Sequence, residues 1–212
     1  EFITIANIAS STDFGDLTEP RRRTQSLSNS TRAVHVGGTS ASPASLYRNE
    51  IDFNTIATAG NSTDFGDTLA AHVATGGSVA SSTRGVYSVG YLNGSYVNIL
   101  EFITIATTGN GQDFGDLNGG TIGYHHRGST CDSTRGLFSG GYNPLGQVQN
   151  KIDFITIAST GNATDFGDLS VARRSGAGTA NSIHSIFAGG YLPGVSNTID
   201  RVLIQTTGNA VD

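Results

Sequence analysis

Five short runs of this chain carry apolar residues at both odd and even positions. In residues 152–158, Ile152, Phe154, Thr156 and Ala158 fall on one side of an extended backbone, and Asp153, Ile155 and Ile157 fall on the other. A strand with one face in water alternates apolar with polar. Apolar residues on both sides therefore predict a strand covered twice, by one neighbouring sheet on each face. Runs of the same kind occupy residues 1–6, 51–57, 100–106 and 199–205. Clusters of Gly, Ser, Thr and Asn separate them from further short apolar stretches, so each run is one member of a set of strands joined by turns.

The runs recur because the whole chain repeats. Asp-Phe-Gly-Asp occurs at 13–16, 64–67, 113–116 and 165–168, with first residues 51, 49 and 52 positions apart. A glycine pair closes an apolar run at 37–38, 140–141 and 189–190, with Val89-Gly90 as its remnant in the second copy. A Ser-Thr-Arg turn precedes that run at 30–32, 82–84 and 133–135, and residues 181–184 are a degenerate fourth copy. Within the third period we read four strands, at 125–132, 136–139, 152–158 and 164–169. The chain is expected to be a single domain, 1–212, made of units 1–17 (partial), 18–69, 70–117, 118–169 and 170–212 (incomplete).

Four short antiparallel strands in a period of about fifty residues is the arithmetic of a propeller blade. Phe138-Ser139-Gly140-Gly141-Tyr142, an apolar strand ending in Gly-Gly and an aromatic, resembles the kelch repeat, and the resemblance covers essentially the whole chain. It departs at Phe14, Phe65, Phe114 and Phe166, which stand where the kelch family has Trp. The run Thr-Gly-Asn-Ala-Thr-Asp-Phe-Gly-Asp-Leu is also similar to repeats of structural and fibre proteins of marine bacteriophages. These resemblances imply an all-β, kelch-like β-propeller of four-stranded antiparallel blades, with about four blade equivalents in this chain. Two arrangements are open: a ring of four closed by the strand at 13–17, or a section of a five- to seven-bladed ring. They also imply an extracellular or virion-surface location.

Composition supports the all-β reading. Of 212 residues, 29 are Gly, one is Lys, and 14% are charged, against roughly 25% in ordinary soluble domains. Few helix-forming surface residues remain, and Ser, Thr, Ile, Val and Phe suit strands and turns. A formal charge of -5 gives no overall electrostatic reason to bind nucleic acid or an anionic membrane. No apolar run approaches the roughly 20 residues of a membrane-spanning helix. Cys131 is the only cysteine, so neither an internal disulfide nor a cysteine zinc site is expected.

The repeated motifs argue for structure over catalysis. Asp-Phe-Gly echoes the magnesium-binding motif of protein kinases, but the nucleotide loop, strand lysine and catalytic His-Arg-Asp are missing. Four copies fit a packing job, with Phe between sheets, Gly permitting a tight backbone and the Asp residues capping turns. Arg32, Arg84 and Arg135 are expected to pair with an Asp of their own or a neighbouring unit. His125, His126 and Arg127 form the most suggestive local cluster, yet neighbours in a strand point opposite ways and are poor joint metal ligands. No catalytic residue, metal or cofactor is expected.

The informative contrast lies between constant and variable turns. The Ser-Thr-Arg and Thr-Gly-Asn turns barely change between copies, and in an up-and-down meander they share one end. The second-to-third connections (39–49, 91–98, 142–151, 191–198) and the fourth-to-first connections (18–23, 68–74, 118–126, 170–174) differ, and they emerge together at the other end. Variation gathered at one rim suits a recognition surface. We expect Tyr47, Tyr91, Tyr96, Tyr142 and Tyr191 to stack on sugar rings, with Arg48, Asn93, His125, Arg127 and Asn143 as polar companions. The leading expectation is a non-enzymatic binding or virion-structural module. Its partners would be a host-surface glycan or protein or other virion proteins, with further copies of itself in a homo-oligomer. The alternative is a polysaccharide-degrading glycosidase or lyase, for which Glu19 and Glu50 are the available loop carboxylates.

Overall fold

The computed structural model describes every residue except 7, 41–45, 75 and 119–125, together with all side chains of the described strands but that of residue 74. The described residues contain no helix and twenty strands. The first nine are β1 (Arg21–Arg22), β2 (Gln25–Ser28), β3 (Arg32–Ser40), β4 (Tyr47–Thr55), β5 (Thr63–Ala74), β6 (Ser78–Ala80), β7 (Arg84–Ser88), β8 (Gly90–Leu92) and β9 (Ser95–Tyr96). They are followed by β10 (Ile99–Thr104), β11 (Gln112–Asp116), β12 (Gly128–Cys131), β13 (Arg135–Ser139), β14 (Lys151–Thr156) and β15 (Thr164–Asp168). The last are β16 (Ala177–Ala180), β17 (His184–Ala188), β18 (Tyr191–Leu192), β19 (Gly194–Val195) and β20 (Ile199–Leu203).

The two central units fold into four-stranded antiparallel sheets, ordered β6-β7-β10-β11 and β12-β13-β14-β15. The first unit lies in a seven-stranded sheet that curls into a half-barrel, because long β3, β4 and β5 run past the meander and pick up β1, β8 and β9. The last unit pairs β16, β17 and β20, and an Arg201–Val211 bridge starts a fourth strand. Residues 13–17 do not join that last sheet. Phe14 and Asp16 lie against the first one, their carbonyls accepting from the Gly60 and Ser62 amides.

Consecutive sheets stack face to face, as the doubly apolar runs require. Ile103 and Ile105 of the second unit pack with Val34, Ile51 and Phe65 of the first. Leu100 and Phe102, on the opposite face, pack with Phe138, Ile155 and Ile157 of the third. Ile152 and Leu137 in turn meet Phe187, Val202 and Ile204 of the fourth.

Asp-Phe-Gly-Asp works as a clasp between sheets. Its Phe sits at a register shift: Asp113 and Gly115 pair with Glu101 and Leu100, leaving Phe114 to turn into the core at 2% exposure. The Phe114 and Asp116 carbonyls then accept from the Gly161 and Ala163 amides of the next unit, and the Asn162 side chain accepts from the Asp116 amide. The same three bonds recur from Phe14 and Asp16, from Phe65 and Asp67, and from Phe166 and Asp168. Gly115 has φ of +135°, and a Cβ there would stand 2.6 Å from the Gly161 carbonyl, so only glycine fits. The polar partner in this clasp is the next unit's Asn together with the Asp backbone.

The repeated arginines correct the expectation of an Asp partner. Arg32, Arg84 and Arg135 each lie 4.4 Å over the third-strand Phe of their own unit. Each donates forward to a backbone carbonyl of the next unit, at Ile105, Ile157 and Ala158, or Ile204. A cation held between a ring face and a carbonyl needs no carboxylate.

Candidate functional site

The Gly-Gly pairs mark where the chain leaves the second strand for the variable end. Gly38 and Gly190 have φ near +110°, and a Cβ on either would stand 2.7 Å from the Arg22 or Arg174 carbonyl. Glycine there lets the second-to-third connection lie directly against the fourth-to-first connection. Variable residues from the two kinds of loop consequently share one surface.

On that surface five of the seven tyrosines converge. Tyr47 meets Tyr91 edge to face at 6.1 Å, and Tyr91 meets Tyr96 at 5.1 Å. Tyr96 lies within electrostatic reach of Tyr142 and Arg174, and burial is the main cause pushing its phenol up. The Arg174 guanidinium sits 4.8 Å over the Tyr142 ring and 4.9 Å over Tyr191, clamped between the two. Paired amide bonds between Arg174 and Tyr191 fix that clamp. The row thus runs through all four units, with rings half-buried or, for Tyr191, 45% exposed. It presents a polar-edged aromatic platform.

The companions of the tyrosines separate into three groups. Asn93 is exposed at the β8–β9 hairpin tip with φ of +48°. Arg48 is half-exposed and bonded to Glu50 at 3.3 Å. Arg127 and Asn143, by contrast, are interior. Arg127 is bound to Asp153 at 2.6 Å with no side-chain exposure, and Asn143 accepts from the Leu145 and Gln147 amides, holding its own loop. Neither offers a ligand its polar atoms. His125 lies outside the described residues, whereas His126 is described, half-buried, with its carbonyl bonded to the Ser175 amide at 2.7 Å. Of the loop glutamates, Glu50 is tied to Arg48 and Glu19 is exposed. Among the described residues no group of three His, Cys, Asp or Glu could hold a metal ion.

Arg127 belongs to a second repeated feature. Each third strand buries one acid, followed by Phe in the first three units and by Arg201 in the fourth: Asp52, Glu101, Asp153 and Asp200 are at most 2% exposed. In three units an arginine from the fourth-to-first connection pairs with it, Arg21 at 2.6 Å, Arg127 at 2.6 Å and Arg173 at 2.7 Å. The second unit breaks the rule. His72 stands five residues after Asp67, as Arg21 stands after Asp16, and Glu101 accepts from the Tyr87 hydroxyl at 2.9 Å and the Leu69 amide at 3.1 Å. His72 stacks on Tyr87, its Nδ1 contacts the Ala70 carbonyl at 3.0 Å, and its buried Nε2 has no partner. Burial pushes the His72 pKa down and the Glu101 pKa up. Gly111 makes room, since a Cβ there would crowd the Tyr87 hydroxyl and the Glu101 carboxylate.

Cys131 is half-buried with its thiol against the Ala80 carbonyl, and burial raises its pKa, which disfavours the thiolate. No family model matches the chain, and comparison with curated proteins returns no relative.

Proposed function

We propose that the chain is a non-enzymatic recognition module whose aromatic row binds saccharide. The observation that carries this reading is the convergence of Tyr47, Tyr91, Tyr96, Tyr142 and Tyr191, drawn from loops that differ between repeats, into one half-exposed row. Sugar rings stack on aromatic faces through their apolar C–H edges, while phenol hydroxyls and neighbouring polar groups fix orientation. Several such positions in a line suit an extended chain better than one small molecule.

The stacking of four sheets in sequence order, with constant turns at one end and variable turns at the other, supports a kelch-like β-propeller arrangement of these units. A propeller displaying its loops at one pole would serve as a tip or decoration domain on a virion or cell surface, meeting a host glycan or protein. The test is a broad screen of neutral and acidic glycans with the full chain and with Tyr47→Ala and Tyr142→Ala. Saccharide binding lost in both variants supports the proposal; no binding to any glycan by the folded chain overturns it.

A further inference from the structure

We infer that the ligand of the tyrosine row is an acidic saccharide, one bearing carboxylate or sulfate groups. This deepens the saccharide-binding reading and rests on it. Arg174, clamped between Tyr142 and Tyr191, has a buried Nε with no hydrogen-bond partner. His126 and Arg23 gather with it: the His126 carbonyl bonds the residue after Arg174, and burial chiefly disfavours protonation of His126, with Arg174 and then Arg23 near enough to add to it. Among the described residues neither Arg23 nor Arg174 has a carboxylate partner, although Arg21, Arg48, Arg127 and Arg173 all do.

The backbone holds this cluster in an unfavourable geometry. Arg23, His126 and Ser175 have φ of 58°, 57° and 57°, left-handed values that non-glycine residues rarely adopt. All three lie in the connections leading to the first strands of their units, β2, β12 and β16. The shared left-handed step sets the same entry into the first strand in all three units.

The net charge of -5 does not oppose an anionic ligand here. Eight of the 17 acids belong to the Asp-Phe-Gly-Asp motifs on fourth strands, and four more are the buried third-strand acids. Three of those buried acids are already paired, with Arg21, Arg127 and Arg173. The row supplies stacking surface, and the cluster supplies charge at one end of it.

The test is calorimetric titration of the full chain with oligogalacturonate, with sulfated dextran oligomers and with neutral dextran oligomers. Binding of either acidic oligomer, weakened roughly tenfold by Arg174→Gln and by a rise from 50 to 500 mM NaCl, is the expected result. The carboxylated and sulfated arms identify which anion is preferred. Arg23→Gln, at an exposed position, weakens binding in the same direction should Arg174→Gln fail to fold. Neutral dextran binding as tightly, with no salt dependence, overturns this inference and leaves the saccharide-binding reading standing. No binding in any arm overturns both.

Discussion

The two ends of the same sheets are built on opposite principles. At the constant end, the Thr-Gly-Asn turns, the Ser-Thr-Arg arginines and the Asp-Phe-Gly-Asp strands repeat the same intersheet bonds copy after copy. At the variable end, the buried arginine–acid pair recurs in three units, but the surface rings and cations, Tyr47 with Tyr91 and Arg174 with Tyr142, meet across units in contacts that do not repeat. Repetition secures the stacking of neighbours, because every interface must solve the same packing problem. Variation is tolerated at the loop positions on which no buried partner depends. The difference predicts that substitutions at the constant end and in the buried pairs cost stability, while those in the row cost binding.

The largest effect is expected from Asp153→Ala, which leaves the Arg127 guanidinium buried without its carboxylate. Stranding a buried charge costs about 3–5 kcal/mol, read as a drop in the urea midpoint. Gly115→Ala should follow, at about 2–4 kcal/mol, since it imposes a left-handed φ on alanine and drives Cβ into the Gly161 backbone. Arg84→Ala removes the carbonyl bonds to Ile157 and Ala158 and the contact with Phe102. About 1–2 kcal/mol is expected, checked by thermal unfolding. If Gly115→Ala or Arg84→Ala proves neutral, the constant end is not what holds the stack.

A pH effect separates the second unit from the others. The folded His72 has a pKa below its ordinary 6.5, so under acid the unfolded chain takes up the proton more readily. Stability is then lost as pH falls below about 6.5 toward the folded value. Glu101, raised by burial, acts in the opposite sense once pH nears the carboxylate range. His35 and His126, also lowered chiefly by burial, add to the loss. Replacing the triad by the residue types of the third and fourth units, H72R/Y87F/E101D, should shrink the fall in Tm between pH 7 and 5.5. An unchanged fall would assign it to the other histidines. The smallest stability effect belongs to Tyr142→Ala, expected at about 0.5–1 kcal/mol for the loss of one ring of the Arg174 clamp, measured by the same thermal scan.

Much of this fold was legible in residues 152–158, where two interleaved apolar sets announced a strand covered on both faces. The face assignments hold, with Ile152 packing toward the fourth unit and Ile155 and Ile157 toward the second. What escaped the sequence was partnership. Asp52, Glu101, Asp153 and Asp200 visibly recur at the same third-strand position, but the arginines of Asp52, Asp153 and Asp200 lie in loops whose lengths differ. Arg21 and Arg173 stand five residues after the motif's last Asp, while an insertion carries Arg127 to eleven, hiding the common role. Arg127 and Asn143 looked like ligand groups because a loop position gives no sign that a side chain turns inward. Arg174 was missed for the converse reason: only its cross-strand pairing with Tyr191 reveals the clamp. The tyrosines were legible as a set because they share a place in the repeat, just past the glycine pair or in the connection that follows it.

The sharpest discrimination pairs two variants in one experiment: Arg174→Gln and Arg84→Ala, each measured for Tm and for the Kd of the tightest-binding acidic oligosaccharide. The account predicts that Arg174→Gln weakens binding roughly tenfold with Tm within about 2 °C of the parent, while Arg84→Ala lowers Tm by several degrees and leaves the folded protein's Kd unchanged. Arg174→Gln lowering Tm as far as Arg84→Ala does, with Kd unmoved, would contradict it.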